Sequence, residues 1–163
     1  MRELIGFPSA DDVLLPGDAE AVVEAYRRSS RRWLAGGVRW IGSSGQSLGN
    51  YQAAPHGMTW RMRAACDFTP IWPLAAYIYQ EFFLEYGGDD ERYEVAPEFS
   101  LFARPLRRER FERIDGPTAC LRSHGQNNSV VHRDDLVSEG HTVRESFVTR
   151  NDFTRSLLSY GST

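Results

Sequence analysis

The sequence predicts an α+β domain in which a sheet wraps around one buried apolar helix, and three observations predict it. First, Trp72-Pro73 opens onto Leu74-Ala75-Ala76-Tyr77-Ile78-Tyr79-Gln80-Glu81-Phe82-Phe83-Leu84-Glu85-Tyr86, apolar on nearly every side and stopped by Gly87-Gly88. A surface helix shows one apolar stripe, so a helix apolar all round must be enclosed by the rest of the protein. Second, Trp60, Met62, Ala64, Cys66 and Phe68 alternate with Thr59, Arg61, Arg63, Ala65 and Asp67, the period of a half-buried strand. Third, short strand-like runs follow one another towards the C-terminus, which gives an antiparallel sheet. A buried helix with a polar mouth also suggests an apolar ligand beside it.

The elements follow in order. Residues 1–17 read as an irregular lead-in broken by Pro8 and Pro16, and residues 18–163 as a single domain. Asp18 is expected to cap a helix that runs to Leu34, with Val22, Val23, Tyr26, Ser30, Trp33 and Leu34 at helical spacing. Gly36-Gly37 would end it. Arg27, Arg28, Arg31 and Arg32 fill much of its other face, either a solvated surface or a docking patch for an acidic carrier protein.

Val38 to Ile41 reads as a short strand, and Ser43 to Pro55 as a polar loop or weak hairpin. The alternating strand and the apolar helix come next, with Pro70 or Pro73 in the first turn. Glu98 to Arg104 reads as a strand ending at Pro105, and Arg107 to Arg113 as a charged connector. Thr118 to Ser123, Ser129 to Val137 and His141 to Arg150 form an expected meander. Asn151 or Asp152 caps a short C-terminal helix ending near Tyr160.

Composition bounds the function classes. The chain has 163 residues, 41% hydrophobic and 25% charged, enough for a packed core and not the profile of a disordered chain. A net charge of −3 disfavours nucleic acid as a partner. No apolar run reaches the length of a membrane span, and the N-terminus lacks a signal-peptide apolar region, so the expectation is cytoplasmic. Cys66 and Cys120 are expected to be free and buried. All 19 basic residues are arginine, which excludes Schiff-base and P-loop lysine chemistry.

Several segments resemble hotdog-fold acyl-thioester enzymes, in which a curved antiparallel sheet wraps a long apolar central helix. Asp67-Phe68-Thr69-Pro70 with Trp72-Pro73 is similar to the "His-Phe-x-x … x-Pro" motif of β-hydroxyacyl-carrier-protein dehydratases. Phe102-Ala103-Arg104-Pro105-Leu106, with Phe111, resembles the "Arg-x-Pro-Leu … Phe" strand end of hotdog thioesterases. Arg133 to Val143 is similar to their closing hairpin. The nearest resemblance is to the long-chain fatty-acyl-CoA thioesterases of actinobacteria (the FcoT type), with an extra N-terminal helix, "Gly-x-Arg-Tyr" matched by Gly37-Val38-Arg39-Trp40, and "Gly-His-Phe-Asn" matched by Cys66-Asp67-Phe68-Thr69. Asp67 stands where relatives carry histidine, and Thr69 where they carry asparagine.

The resemblance implies a thioesterase acting on a fatty acyl group carried by CoA or an acyl carrier protein. Relatives of this type in lipopeptide and isonitrile pathways add the further expectation of amine addition to an enoyl thioester. It also implies a homodimer or higher homo-oligomer. A dehydratase-like enzyme, or a non-catalytic acyl-binding or assembly subunit of the same fold, is the alternative.

The residues supply candidate roles. Thioester hydrolysis needs a carboxylate or amide to activate water, and donors for the oxyanion. Asp67 and Glu81 are the acid–base candidates, with Thr69 beside them as cap or reactant. If buried, Glu81 would have a raised pKa suited to proton transfer. Tyr77 and Tyr79 either donate to the thioester carbonyl or pack with the hydroxyl at the rim. Arg61 and Arg63 share a strand face with Asp67 and can bind a carboxylate or phosphate, or simply face solvent. His56 and Trp72 complete the substrate-binding set. His132, Asp134 and His141 lie on or beside one expected hairpin and lack a distant third ligand, so no metal is expected. No cofactor is expected.

Overall fold

The computed structural model describes residues 3–55, 71–95, 97–106 and 108–147. It is a mixed α+β structure whose sheet is the middle layer. The strands are β1 (Leu4–Gly6), β2 (Trp33–Ile41), β3 (Ser47–Tyr51), β4 (Ala76–Tyr79) and β5 (Glu112–Arg122). The helices are α1 (Asp18–Arg28), α2 (Gln80–Glu85), α3 (Pro97–Leu106), α4 (Asn128–Val131) and α5 (Arg133–Phe147).

Strand β2 organises the sheet. One of its edges is shared: β4 pairs with Trp33–Ala35 and β3 with Val38–Ile41, both antiparallel. Its other edge takes β5, and this pairing is parallel. The expected all-antiparallel sheet is therefore corrected to a mixed one. β1 extends the sheet beyond β4. The β2–β3 hairpin, in a stretch read from sequence as either a polar loop or a weak hairpin, closes through Gly42 N–H donating to Gln46 O at 2.9 Å. Gly45 turns the chain at φ +86°, where a side chain would be strained.

Helix α1 opens close to where it was expected, but Gly17 and not Asp18 holds the cap position, and it stops at Arg28. Ser29 is extended, its hydroxyl accepts from Arg31 N–H at 3.0 Å, and it donates to Glu112 at 3.1 Å. A serine that offers the backbone this local alternative competes with helix continuation. Trp33 and Leu34, placed in the helix by their spacing, begin β2 instead. Gly36 and Gly37 are not a helix cap; they sit in the middle of β2, where neighbouring strands pass too close for a side chain.

The apolar run at 74–86 is corrected as well. Pro73–Ala75 is one 3-10 turn, Ala76–Tyr79 is β4, and helix begins only at Gln80. Both faces of β4 are covered: Ile78 joins Trp33, Phe82 and Phe102, while Tyr77 packs against the Val22, Ala25 and Leu34 cluster under α1. A strand covered on both faces is apolar throughout and loses its alternation. The expected enclosure holds for 74–79 only, since Gln80, Glu81, Leu84 and Glu85 are exposed, and the period that separates helix from strand was not legible.

Residues 97–106 form a helix rather than a strand, because Leu101, Phe102 and Leu106 join the core below the sheet and Ala103 faces α5. The last two strands of the expected meander are instead α4 and α5. Along α5, Leu136, Gly140, Val143 and Phe147 recur at helical spacing, and Val143 packs on Tyr93 and Ala103. Thus the layers run α1, sheet, α3, α5. The segments compared above with the hotdog strand end and closing hairpin are both helical here. The alternating strand at 59–68 and the C-terminal helix lie outside the described residues.

Candidate functional site

Between the N-terminal segment and helices α3, α4 and α5 lies a cavity of about 590 Å³, within the range of small-molecule sites. Its wall is largely apolar: Phe7, Trp72, Leu74, Phe99, Leu121 and Leu136 all line it. Trp72 is set by the extended backbone ahead of Pro73. Its ring stands edge-on to Trp40 at 5.8 Å and to Tyr51 at 5.7 Å, which fixes it as a stiff panel.

Acidic groups interrupt this wall. Asp11, Asp12, Asp89 and Glu98 all line the cavity. Glu98 stands in the first turn of α3, partly buried. Burial pushes its carboxyl pKa up, nearby Asp89 and Glu139 push the same way, and a backbone hydrogen bond offsets part of this. Burial likewise raises Asp12, helped by Asp11 and opposed by Ser9. Ser9 N–H donates to Asp12 Oδ2 at 3.0 Å, while Asp12 Oδ1 is enclosed and has no partner among the described residues.

The floor around Asp11 is rigid. His124 Nε2 donates to Asp11 Oδ2 at 2.8 Å, and Asn127 Nδ2 donates to the same oxygen at 3.3 Å. The other ring nitrogen, Nδ1, accepts from Gln126 N–H at 3.1 Å. That pattern assigns His124 as the neutral Nε2–H tautomer with both nitrogens engaged. His124 is therefore a clamp, with no free lone pair for base catalysis. Arg122 adds a bond from Nε to Asp11 O at 3.3 Å. On the α3 side, Arg104 Nη1 donates to Gly88 O at 3.0 Å and also to Tyr86 O, and Arg104 pairs with Asp90 at 3.3 Å. Hydrogen bonds from Arg92 hold the Asp90 carboxyl well below the usual carboxylate range. This clamp holds the loop carrying Asp89 against the helix carrying Glu98.

The stability consequence has a definite sign. Asp12 and Glu98 bind protons more tightly folded than unfolded. Their contribution is fully present below the unfolded carboxyl pKa of about 4 and is lost as pH rises through the higher folded values. Glu98→Gln is expected to flatten that loss, so its urea midpoint should exceed wild type more at pH 8 than at pH 4. A mutant-to-wild-type gap unchanged across this range would contradict the assignment.

Of the sequence-predicted site residues, Trp72 alone among those described lines the cavity. Glu81 is exposed in the first turn of α2, so the burial expected of it is absent. Tyr79 is buried in the core with its ring edge-on to Tyr26 at 5.3 Å. The Tyr77 hydroxyl donates to Thr118 O at 3.3 Å, and burial raises its pKa. Asp67, Thr69, Arg61, Arg63 and His56 lie outside the described residues. His132 and His141 are exposed and pair with Asp135 and Glu145; among the described residues no His, Cys, Asp or Glu cluster could hold a metal. Cys120 is a free, buried thiol.

Sequence reasoning missed Asp12 and Glu98. The available signals were the Asp11-Asp12 doublet amid Ile5, Phe7, Val13 and Leu14, and the spacing of Phe99, Phe102, Ala103 and Leu106 that places Glu98 at a helix start. No helix among the described residues is long and apolar enough to cross a membrane. Compared with known proteins, the chain matches no family model and no curated protein.

Proposed function

We propose that this chain acts on an acyl group carried as a thioester, holding the acyl part against the Trp72, Leu74, Phe99 and Leu136 wall. Glu98 is the principal acid–base group and Asp12 the second. One observation carries this reading: two carboxyls with raised pKa values line a single, mostly apolar cavity. Such groups hold their protons to higher pH than ordinary carboxyls and are the groups of this cavity suited to giving and taking one. In hydrolysis, water adds to the thioester carbonyl carbon, its proton passes to a carboxylate, and the carbon–sulfur bond breaks. A neutral carboxylic acid then protonates the departing thiolate.

The resemblance to hotdog thioester enzymes supports the substrate class. The fold of that family would need residues 74–86 as an enclosed central helix, and β4 with the short α2 stands there instead. The reading therefore rests on the cavity and not on that architecture. A non-catalytic acyl-binding subunit is the second reading. It is favoured by one observation: His124, which bonds to Asp11 of the cavity lining, has both nitrogens engaged.

The test is thiol release from acyl-CoA and acyl-pantetheine thioesters over a range of chain lengths. Glu98→Gln is expected to lower kcat by about 10² or more, and Asp12→Asn by a smaller factor, each with acyl binding retained. Binding of a fluorescent fatty acid without turnover of any thioester selects the second reading. Wild-type rates in both variants would remove these residues from the mechanism.

A further inference from the structure

The charges around the cavity do not balance. Asp11, Asp12, Asp89 and Glu98 line it, and among the described residues no arginine or histidine does. Arginine is plentiful in the chain, at 19 residues, but the cations beside the cavity are engaged elsewhere. The Arg122 guanidinium donates to the carbonyls of Asp11 at 3.3 Å, Gly42 at 3.4 Å and Ser43 at 3.2 Å. Arg92 and Arg104 both pair with Asp90, which is not part of the lining. His124 holds Asp11 as a neutral ring. Asp12, Asp89 and Glu98 therefore have no ion pair among the described residues. The donors that reach Asp12 are neutral ones, from Ser9 and the Arg122 backbone. The charges that act on these carboxyls are themselves negative: Asp11 on Asp12, and Asp89 and Glu139 on Glu98.

The rest of the wall suits a cation with an apolar body. Phe7, Tyr51, Trp72 and Phe99 line the same space. Phe7 is held edge-on to Phe102 at 5.8 Å, as Trp72 is to Trp40 and Tyr51. Aromatic faces attract a positive charge, and the attraction grows where water is excluded. We propose that the cavity binds an organic ammonium, an apolar molecule carrying one positively charged amine that pairs with the carboxyls of the wall. Such a ligand brings the counter-charge that the lining lacks, in a setting where an unpaired charge is costly. A carboxylate, phosphate or sulfate ligand would meet like charge instead. A bare metal ion does not fit either, because no described group of His, Cys, Asp and Glu side chains is close enough to hold one. The carboxyls are spread along an apolar wall of about 590 Å³, which matches an extended small molecule. The binding preference stands independently of the thioester reading. Where both hold, the acyl group that enters the cavity carries an amine.

The test compares three ligands of similar shape on the full chain by isothermal titration calorimetry at about pH 7: phenylbutylamine, an ammonium at that pH, neutral phenylbutanol and the anion phenylbutyrate. The ammonium is expected to bind at least about tenfold tighter than the alcohol, and the anion more weakly than the alcohol. Glu98→Gln should reduce the ammonium's advantage at least about fivefold and Asp12→Asn by a smaller factor, while the alcohol's affinity stays within about twofold in both. Glu20→Gln removes the same charge from an exposed position on α1, across the sheet, and should change neither affinity. Thiol release plays no part in this readout, so inactive thioester chemistry leaves the ammonium preference intact, and a missing preference leaves turnover to decide the thioester reading. Four outcomes would overturn the proposal. They are an alcohol that binds as tightly as the ammonium, a preference for the anion, no ammonium binding up to about 10 mM, and wild-type preference retained in both Glu98→Gln and Asp12→Asn.

Discussion

Trp33→Ala is expected to destabilise the protein by about 3–5 kcal/mol, the cost of emptying a large aromatic site that cannot collapse. Trp33 is fully enclosed at the start of β2. Its indole stacks on Phe82 at 6.0 Å and on Phe102 at 6.2 Å, and meets the edge of Phe111 at 5.3 Å. It thus joins the sheet to α2, to α3 and to the segment entering β5. Domains of this kind carry roughly 5–15 kcal/mol in total, so the variant should lose a large share of its stability and unfold well below the wild-type temperature. Trp33→Phe is the informative companion. The Trp33 Nε1–H is enclosed without a partner among the described residues, so phenylalanine keeps the stacking and removes an unsatisfied donor. Its loss should be about 2 kcal/mol or less. Urea midpoints for the pair measure both effects. Similar losses in the two would mean that ring volume at the far edge, and not the stack, holds the core.

Gly36→Ala is expected to cost about 2–3 kcal/mol through overpacking in a place without slack. An added methyl at Gly36 would lie 2.2 Å from Thr118 Oγ1 and 2.9 Å from Thr118 Cβ. Thr118 is itself fully buried on β5, so it cannot swing into solvent. The clash forces β2 and β5 apart at the irregular stretch of their pairing between Ala35 and Val38. Gln52 supports the same stretch by donating to Ile114 O at 2.8 Å and accepting from Gly116 N–H at 2.9 Å. Adding Thr118→Ala should recover part of the loss, and the coupling in the double-mutant cycle should be favourable and exceed about 0.5 kcal/mol. Strict additivity would show that the strain is taken up elsewhere. The neighbouring Gly37 faces backbone instead, with Tyr51 O at 2.6 Å from its added methyl, and Gly37→Ala should have no comparable side-chain rescue.

These positions also show what was legible in the residues. The region of the α1 start and the expected strand from Thr118 to Ser123, most of which lies in β5, could be read locally, because a start signal or an apolar run lies within a few residues of each, while Ser43 to Pro55 read equally as loop or weak hairpin. The roles of Trp33 and Gly36 could not. Trp33 sits at helical spacing from Tyr26 and Ser30, and a glycine pair after such a run is the usual mark of a helix end. The serine turn at Ser29, weak by itself, redirects the chain only because sheet partners for Trp33 and Leu34 exist elsewhere. For the site, Trp72 is the one sequence candidate among the described residues that lines the cavity. Asp12 and Glu98 were missed because each looks ordinary alone and becomes unusual only beside the other's wall.

By itself, the sequence determined that this chain has a real core, that the first half of the apolar run, residues 74–79, is enclosed, that a helix opens near Asp18, and that no lysine chemistry is available. Tertiary structure decided that the enclosed run is turn, strand and short helix, that Gly36-Gly37 is a strand crossing, and that distant carboxyls share one apolar cavity. The physical reason is the same in each case. Burial is written in local hydrophobicity, but once both faces of an element are covered its period disappears, and which segments cover it is set by long-range packing.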